Sequence, residues 1–216
     1  MRGRVRCRGA WSALVLLCLL AACFKPPVIQ ERRFTAPNDA TRKIAVVPFY
    51  PRPTLERHLT EGGPDSEEAA ALVTRFVTEG LSAAGFRVVP AGDVELAFSA
   101  EGLQVPRLTP GAAATLTSAE FGATSVLLGE VQRYRERSGE AFGTTRPASV
   151  SYVVTLYAAP GGERLWSGQF DETQQPLSAN VFNARRYPGG GTRWLTAAEL
   201  TRWGAGEIAR LLRELR

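Results

Sequence analysis

Cysteine is nearly absent and confined to one end: Cys7, Cys18 and Cys23 are the only three in 216 residues. Past Cys23 no disulfide can form within the chain, so an apolar core must hold the fold. Histidine is scarcer, with His58 alone, and no cluster from which a metal site could be read accompanies it. Long apolar runs are also missing. The longest, Ala10 to Ala22, has 13 residues, whereas a membrane-spanning helix needs about 20. A basic excess is present only in appearance: four of the 26 Lys and Arg residues precede Cys23 and no acidic residue does, leaving 22 basic against 21 acidic from there on. That near balance excludes a nucleic-acid surface built on net charge. No P-loop or dinucleotide fingerprint occurs, because Gly189-Gly190-Gly191 is followed by no lysine and Ser/Thr pair. It reads as a flexible turn.

What is present begins with an address. Arg2, Arg4, Arg6 and Arg8 precede the apolar run, the order of a signal peptide's basic and hydrophobic regions. Leu20-Ala21-Ala22-Cys23 resembles the lipobox of bacterial lipoproteins. The resemblance implies cleavage after Ala22, with a diacylglycerol thioether and an N-acyl chain on Cys23. No other cofactor and no metal is expected. One acyl chain, at about 0.8 kcal/mol per buried CH₂, anchors only marginally, whereas two or three hold firmly. Phe24, where an aspartate would retain a proteobacterial lipoprotein in the inner membrane, points to the outer membrane, facing the periplasm. The expected organisation is a signal peptide at 1–22, a lipidated tether at 23–42 and a single periplasmic domain at 43–216. The tether carries Pro26, Pro27 and Pro37 among mixed charges. Fully extended at about 3.3–3.6 Å per residue, it would reach roughly 60 Å.

The domain reads as α/β (α+β), a mixed β-sheet with helices packed on it. Lys43 to Phe49 is a short β-branched run ending near proline, as a buried strand does. Asp65-Ser66-Glu67-Glu68 is a capping-box signature, after which Ala69, Leu72, Val73, Phe76, Val77 and Leu81 recur at helical spacing up to Gly85. A strand at 86–89, a short helix at 93–100, a helix opened by Thr109-Pro110 and a strand at 124–134 follow. Strands at 150–157 and 164–170 flank the turn Ala159-Pro160-Gly161-Gly162 as an antiparallel hairpin. Thr196-Ala197-Ala198-Glu199 caps a last amphipathic helix with Leu200, Trp203, Ile208, Leu211, Leu212 and Leu215 on one stripe. The expected order is β-α-β-α-α-β-β-β-α.

The strings KIAVVPF, GLSAAGFRVV, FGATSVLLGEVQRY and GGERLWSG, in this order from Lys43 to Gly168, resemble a domain shared by three groups. These are the amino-terminal domain of the Tol-Pal translocation protein, the lipoprotein activators of penicillin-binding proteins, and the periplasmic part of the curli secretion channel. The resemblance implies a non-catalytic domain that binds or scaffolds other envelope proteins, an accessory of envelope assembly, wall synthesis or secretion. The alternative it implies is a self-assembling component of a secretion channel. The stretch from Asp171 to Trp194 lies outside the resemblance.

An enzyme reading finds little support. His58 could be paired with Ser66 and with Asp65 or Glu61, but a polar loop gives no reason for a nucleophile, a base and an orienting group to meet. Asp65, Glu67 and Glu68 belong in a helix's first turn because its dipole favours negative charge there. A small hydrolase is therefore the least favoured reading. A membrane strand would need about 9–11 alternating residues, and Arg135 to Ala148 is too polar and too interrupted. The long segment 171–194 is expected to recognise a protein partner through Phe182, Arg185, Arg186 and Tyr187, the aromatic and arginine mix enriched at interface hot spots.

Overall fold

The computed structural model describes residues 27–34, 41–55, 63–105, 108–176 and 186–215. Its strands are β1 (Ile29–Arg33), β2 (Lys43–Val46), β3 (Tyr50–Pro51), β4 (Arg87–Val89), β5 (Ser125–Arg135), β6 (Ser138–Gly139), β7 (Thr144–Arg146), β8 (Ser149–Ala158) and β9 (Arg164–Thr173). Its helices are α1 (Ser66–Ala83), α2 (Ala91–Ala100), α3 (Pro110–Phe121) and α4 (Ala197–Arg213), with a 3₁₀ turn at Pro188–Gly191. The main sheet runs β1-β9-β8-β5-β2-β4, and β3 extends the line of β2 along β5. β4, β2 and β5 are parallel, and β5, β8, β9 and β1 are antiparallel. The mixed sheet with packed helices matches the class read from sequence. β6 and β7 form a separate small hairpin.

Local chemistry explains the elements. α1 starts at a complete capping box: the Glu68 amide donates to Asp65 Oδ1 at 2.8 Å and the Asp65 amide to Glu68 Oε2 at 3.3 Å. α4 repeats the device with Thr196 and Glu199. α3 opens on Pro110 with Thr109 as its cap and ends at Gly122, whose φ of 60° suits a residue without Cβ.

The helices cover the two sheet faces unequally. α1 and α4 pack across one whole face, where Phe76, Leu127, Tyr152, Trp166, Phe170 and Leu200 belong to one core cluster. α2 and α3 cover the parallel part of the other face, around Val47, Phe98, Ala113 and Val126, and reach Tyr157 near the end of β8. α4 comes close because position 204 is glycine: a Cβ there would lie 2.5 Å from Tyr152 Oη and 2.6 Å from Phe170 Cδ2.

One expectation is corrected. Ile29–Arg33, assigned from sequence to the tether, forms edge strand β1, with Ile29 opposite Phe170 and Arg33 opposite Trp166. Ile29 is buried, and the Trp166 indole donates to Glu31 Oε2 at 2.8 Å. The domain therefore begins before residue 43, and four residue steps separate Cys23 from Pro27, the first described residue. These span at most about 14 Å.

Candidate interaction surface

On the second face of the sheet α3 covers the start of β5 and the end of β8, and no helix lies over β9, β1 or the hairpin end of β5 and β8 among the described residues. Antiparallel sheets commonly leave one face to solvent, with side chains alternating between core and outside. Val150, Tyr152, Val154 and Leu156 of β8 point into the core. Val153, Thr155 and Tyr157, at alternate positions, are only partly buried.

Polar groups on this face hold one another. Gln132 Oε1 accepts from Ser151 Oγ at 3.2 Å, and Arg133 Nε donates to Ser149 Oγ at 2.6 Å while its guanidinium also meets Asp171. Where the bare half meets α3, a cleft of about 380 Å³ opens between Tyr50, Arg52 and Glu130 on its polar side and Val47, Leu128 and Val153 on its apolar side. Tyr50 Oη donates to Glu130 Oε2 at 3.0 Å, and Arg52 Nε lies 3.0 Å from Glu130 Oε1. Burial and the adjoining carboxylate push the Tyr50 phenol up to about 12. It therefore stays a neutral donor. On the opposite face Gly129 makes room for Phe49, since a Cβ there would sit 2.5 Å from its ring carbons.

The sequence-derived contact residues fall elsewhere. Cys23, the cleavage residues Leu20, Ala21 and Ala22, and His58, Phe182 and Arg185 lie outside the described residues. Tyr187 is only 4% exposed, packs its ring edge-on against Trp203 at 5.6 Å, and donates to Glu172 Oε1 at 2.9 Å. Arg186 closes on the same carboxylate, 3.1 Å from Oε1 and 2.5 Å from Oε2. The pair seats the returning chain on the sheet, so Tyr187 is corrected from an accessible contact to a structural one. Gly189 and its neighbours form a 3₁₀ turn rather than a loose one. Asp65 and Glu68 are spent on the α1 cap. Composition had no means of finding the bare sheet face, because it depends on which half α2 and α3 reach.

No family model matches the chain, and no curated protein matches it. Solved structures do. The PelC dodecamer from Paraburkholderia phytofirmans aligns at a TM-score of 0.45 and 18% identity, over 87% of this chain and 95% of that one. Lipoprotein GNA1162 from Neisseria meningitidis aligns at 0.42 and 23%, over 67% and 96%. The LpoB C-terminal domain from Escherichia coli aligns at 0.39 and 18%, over 74% and 94%.

Proposed function

We propose that this chain is a lipid-anchored periplasmic protein of the outer membrane that binds or scaffolds another cell-envelope protein and catalyses no reaction. The observation that carries the proposal is the largely bare second face of the antiparallel half-sheet. The open part of that face, over β9, β1 and the hairpin end of β5 and β8, joins a polar network to the apolar wall of the cleft at Val153 and Leu128, the mixture of apolar centre and polar rim that protein interfaces use. The arginine-rich n-region and Leu20-Ala21-Ala22-Cys23 supply the address.

The test is affinity capture from gently solubilised envelopes with the natural chain, Val153→Arg and Cys23→Ala. Val153 is partly exposed on the outer face and belongs to neither core cluster, so arginine there changes the surface and leaves the core intact. A defined envelope protein recovered by the natural chain and lost with Val153→Arg supports docking on this face. Unchanged recovery moves the partner site elsewhere. Recovery of further copies of this chain alone replaces scaffolding by self-assembly, and equal membrane retention of Cys23→Ala removes the lipid anchor.

A further inference from the structure

We infer that the sheet end carrying the β6–β7 hairpin faces the phospholipid bilayer, with Phe142 seated in the headgroup region and Arg137 and Arg146 on lipid phosphates. The inference rests on the lipid anchor at Cys23 and adds the orientation of the domain on its membrane.

Strand register fixes which end the anchor leaves from. Arg135 lies opposite Ser149, Ser149 opposite Thr173, and β1 starts on that side, with Ile29 opposite Phe170. Pro27 and Val28 share a surface groove there with Arg186 and Trp203. Phe34 and the Ala159–Gly162 turn belong to the opposite end. β5 has 11 residues, so the two ends are about 36 Å apart at roughly 3.3 Å per residue. The connection from Cys23 to Pro27 reaches at most about 14 Å. A tether shorter than the domain holds the near end against the bilayer and keeps the far end away.

The near end carries what an interfacial surface needs. Phe142 is 84% exposed at the tip of a tight turn, in which the Glu140 amide donates to Gly143 O at 3.0 Å. The hairpin is braced: the Trp194 amide donates to Ala141 O at 2.7 Å, and Glu136 accepts from the first amide of α4 at 3.1 and 3.2 Å. Phe142 and Trp194 line one small cleft, and aromatic rings of this kind are enriched at the membrane–water boundary. Arginines surround the hairpin base. Arg133 and Arg146 raise the positive potential at Arg135, and Arg146 is exposed. Partly buried Arg137 and exposed Arg146 make no ion pair among the described residues, which leaves their accessible nitrogens for lipid phosphates. From β1 to β5 is three strand spacings, about 14 Å, so hairpin and anchor fit under one footprint.

Because no cysteine follows Cys23, a single introduced thiol can be labelled cleanly. Phe142→Cys and Phe34→Cys, each produced as the full chain and carrying an environment-sensitive nitrobenzoxadiazole label, are reconstituted into phosphatidylethanolamine/phosphatidylglycerol vesicles with and without spin-labelled lipid. Intact mass is measured on both. A blue shift and at least twofold stronger quenching at position 142 than at 34 is the expected result. Equal quenching, or stronger quenching at 34, on a chain whose mass includes the lipid overturns the orientation while the anchor stands. A mass without lipid removes the anchor reading, and this inference with it.

Discussion

Arg186 and Glu172 form a clamp between the connection from β9 to α4 and strand β9 itself: Nη2 lies 2.5 Å from Oε2 with both side chains largely buried, at 15% and 7% exposure. Tyr187 Oη donates to the same carboxylate. Removing the acid takes the shared carboxylate away from a guanidinium and a phenol in a poorly hydrated place. Glu172→Ala should cost about 2–4 kcal/mol, read as a lower urea midpoint, and Glu172→Ala with Arg186→Ala should cost less than the two single changes added. Additive costs would mean the pair does not act as one unit.

Acid should loosen the start of α4. Arg193 holds the Glu199 carboxylate down to about 2, against burial and with help from Thr196. A folded-state pKa below the unfolded value contributes stability above pH 4.5, which is lost as pH falls from there through about 2. Denaturant midpoints measured from pH 7 to 2.5 should therefore fall more steeply for the natural chain than for Glu199→Gln. Parallel curves would dismiss the pair as a source of acid sensitivity.

Much of the framework was legible because local signals and tertiary needs agree. Both capping boxes, at Asp65 and Thr196, appear as read, and the Leu200, Ile208 and Leu212 stripe lies in the core. β1 was hidden because its segment has one deeply buried apolar residue, Ile29, while Glu31 bonds Trp166 through a polar side chain. Periodicity has nothing to count there. Tyr187 and Arg186 misled for a different reason: an aromatic beside an arginine has the same composition in an internal clamp as in a contact surface. The hairpin carrying Phe142 escaped because its strands are two and three residues long.

Alkali should unfold the domain above pH 10. Burial pushes the Tyr134 and Tyr187 phenols up to about 12, helped by Glu136 and Glu172 respectively, and pushes fully buried Tyr152 up as well. A raised folded-state value keeps its stabilisation below the unfolded pKa of 10 and loses it as pH climbs through the folded one. Phenolate absorbance should rise together with loss of near-ultraviolet circular dichroism. Full titration with unchanged tertiary signal would show these rings to be accessible.

Gly204 sets the distance between α4 and the sheet. Alanine there gains up to about 1 kcal/mol of helix propensity. Its Cβ, however, would overlap Tyr152 Oη and the Phe170 ring, an overpacking worth about 1–3 kcal/mol. The overlap should win, so Gly204→Ala lowers the melting temperature, whereas Gly206→Ala, where a Cβ meets nothing within 4 Å, should raise it slightly. Stabilisation by both would show that α4 can shift outward at no cost.

The edge of β9 depends on β1. If β1 leaves, the backbone donors and acceptors of Arg164–Thr173 face solvent and offer a template for another chain. Ile29→Asp places a charge where Ile29 packs in the core, and Glu31→Leu removes the acceptor of the Trp166 indole. Hydrogen exchange should quicken throughout β9 in Ile29→Asp, with light scattering rising as the protein is concentrated. Glu31→Leu keeps β1 paired and should change exchange only near Trp166. Were Ile29→Asp to leave β9 protection unaltered, β1 would be an ornament on the sheet, the domain would start at β2, and the anchor's reach would lengthen from about 14 Å towards the roughly 60 Å of a free tether.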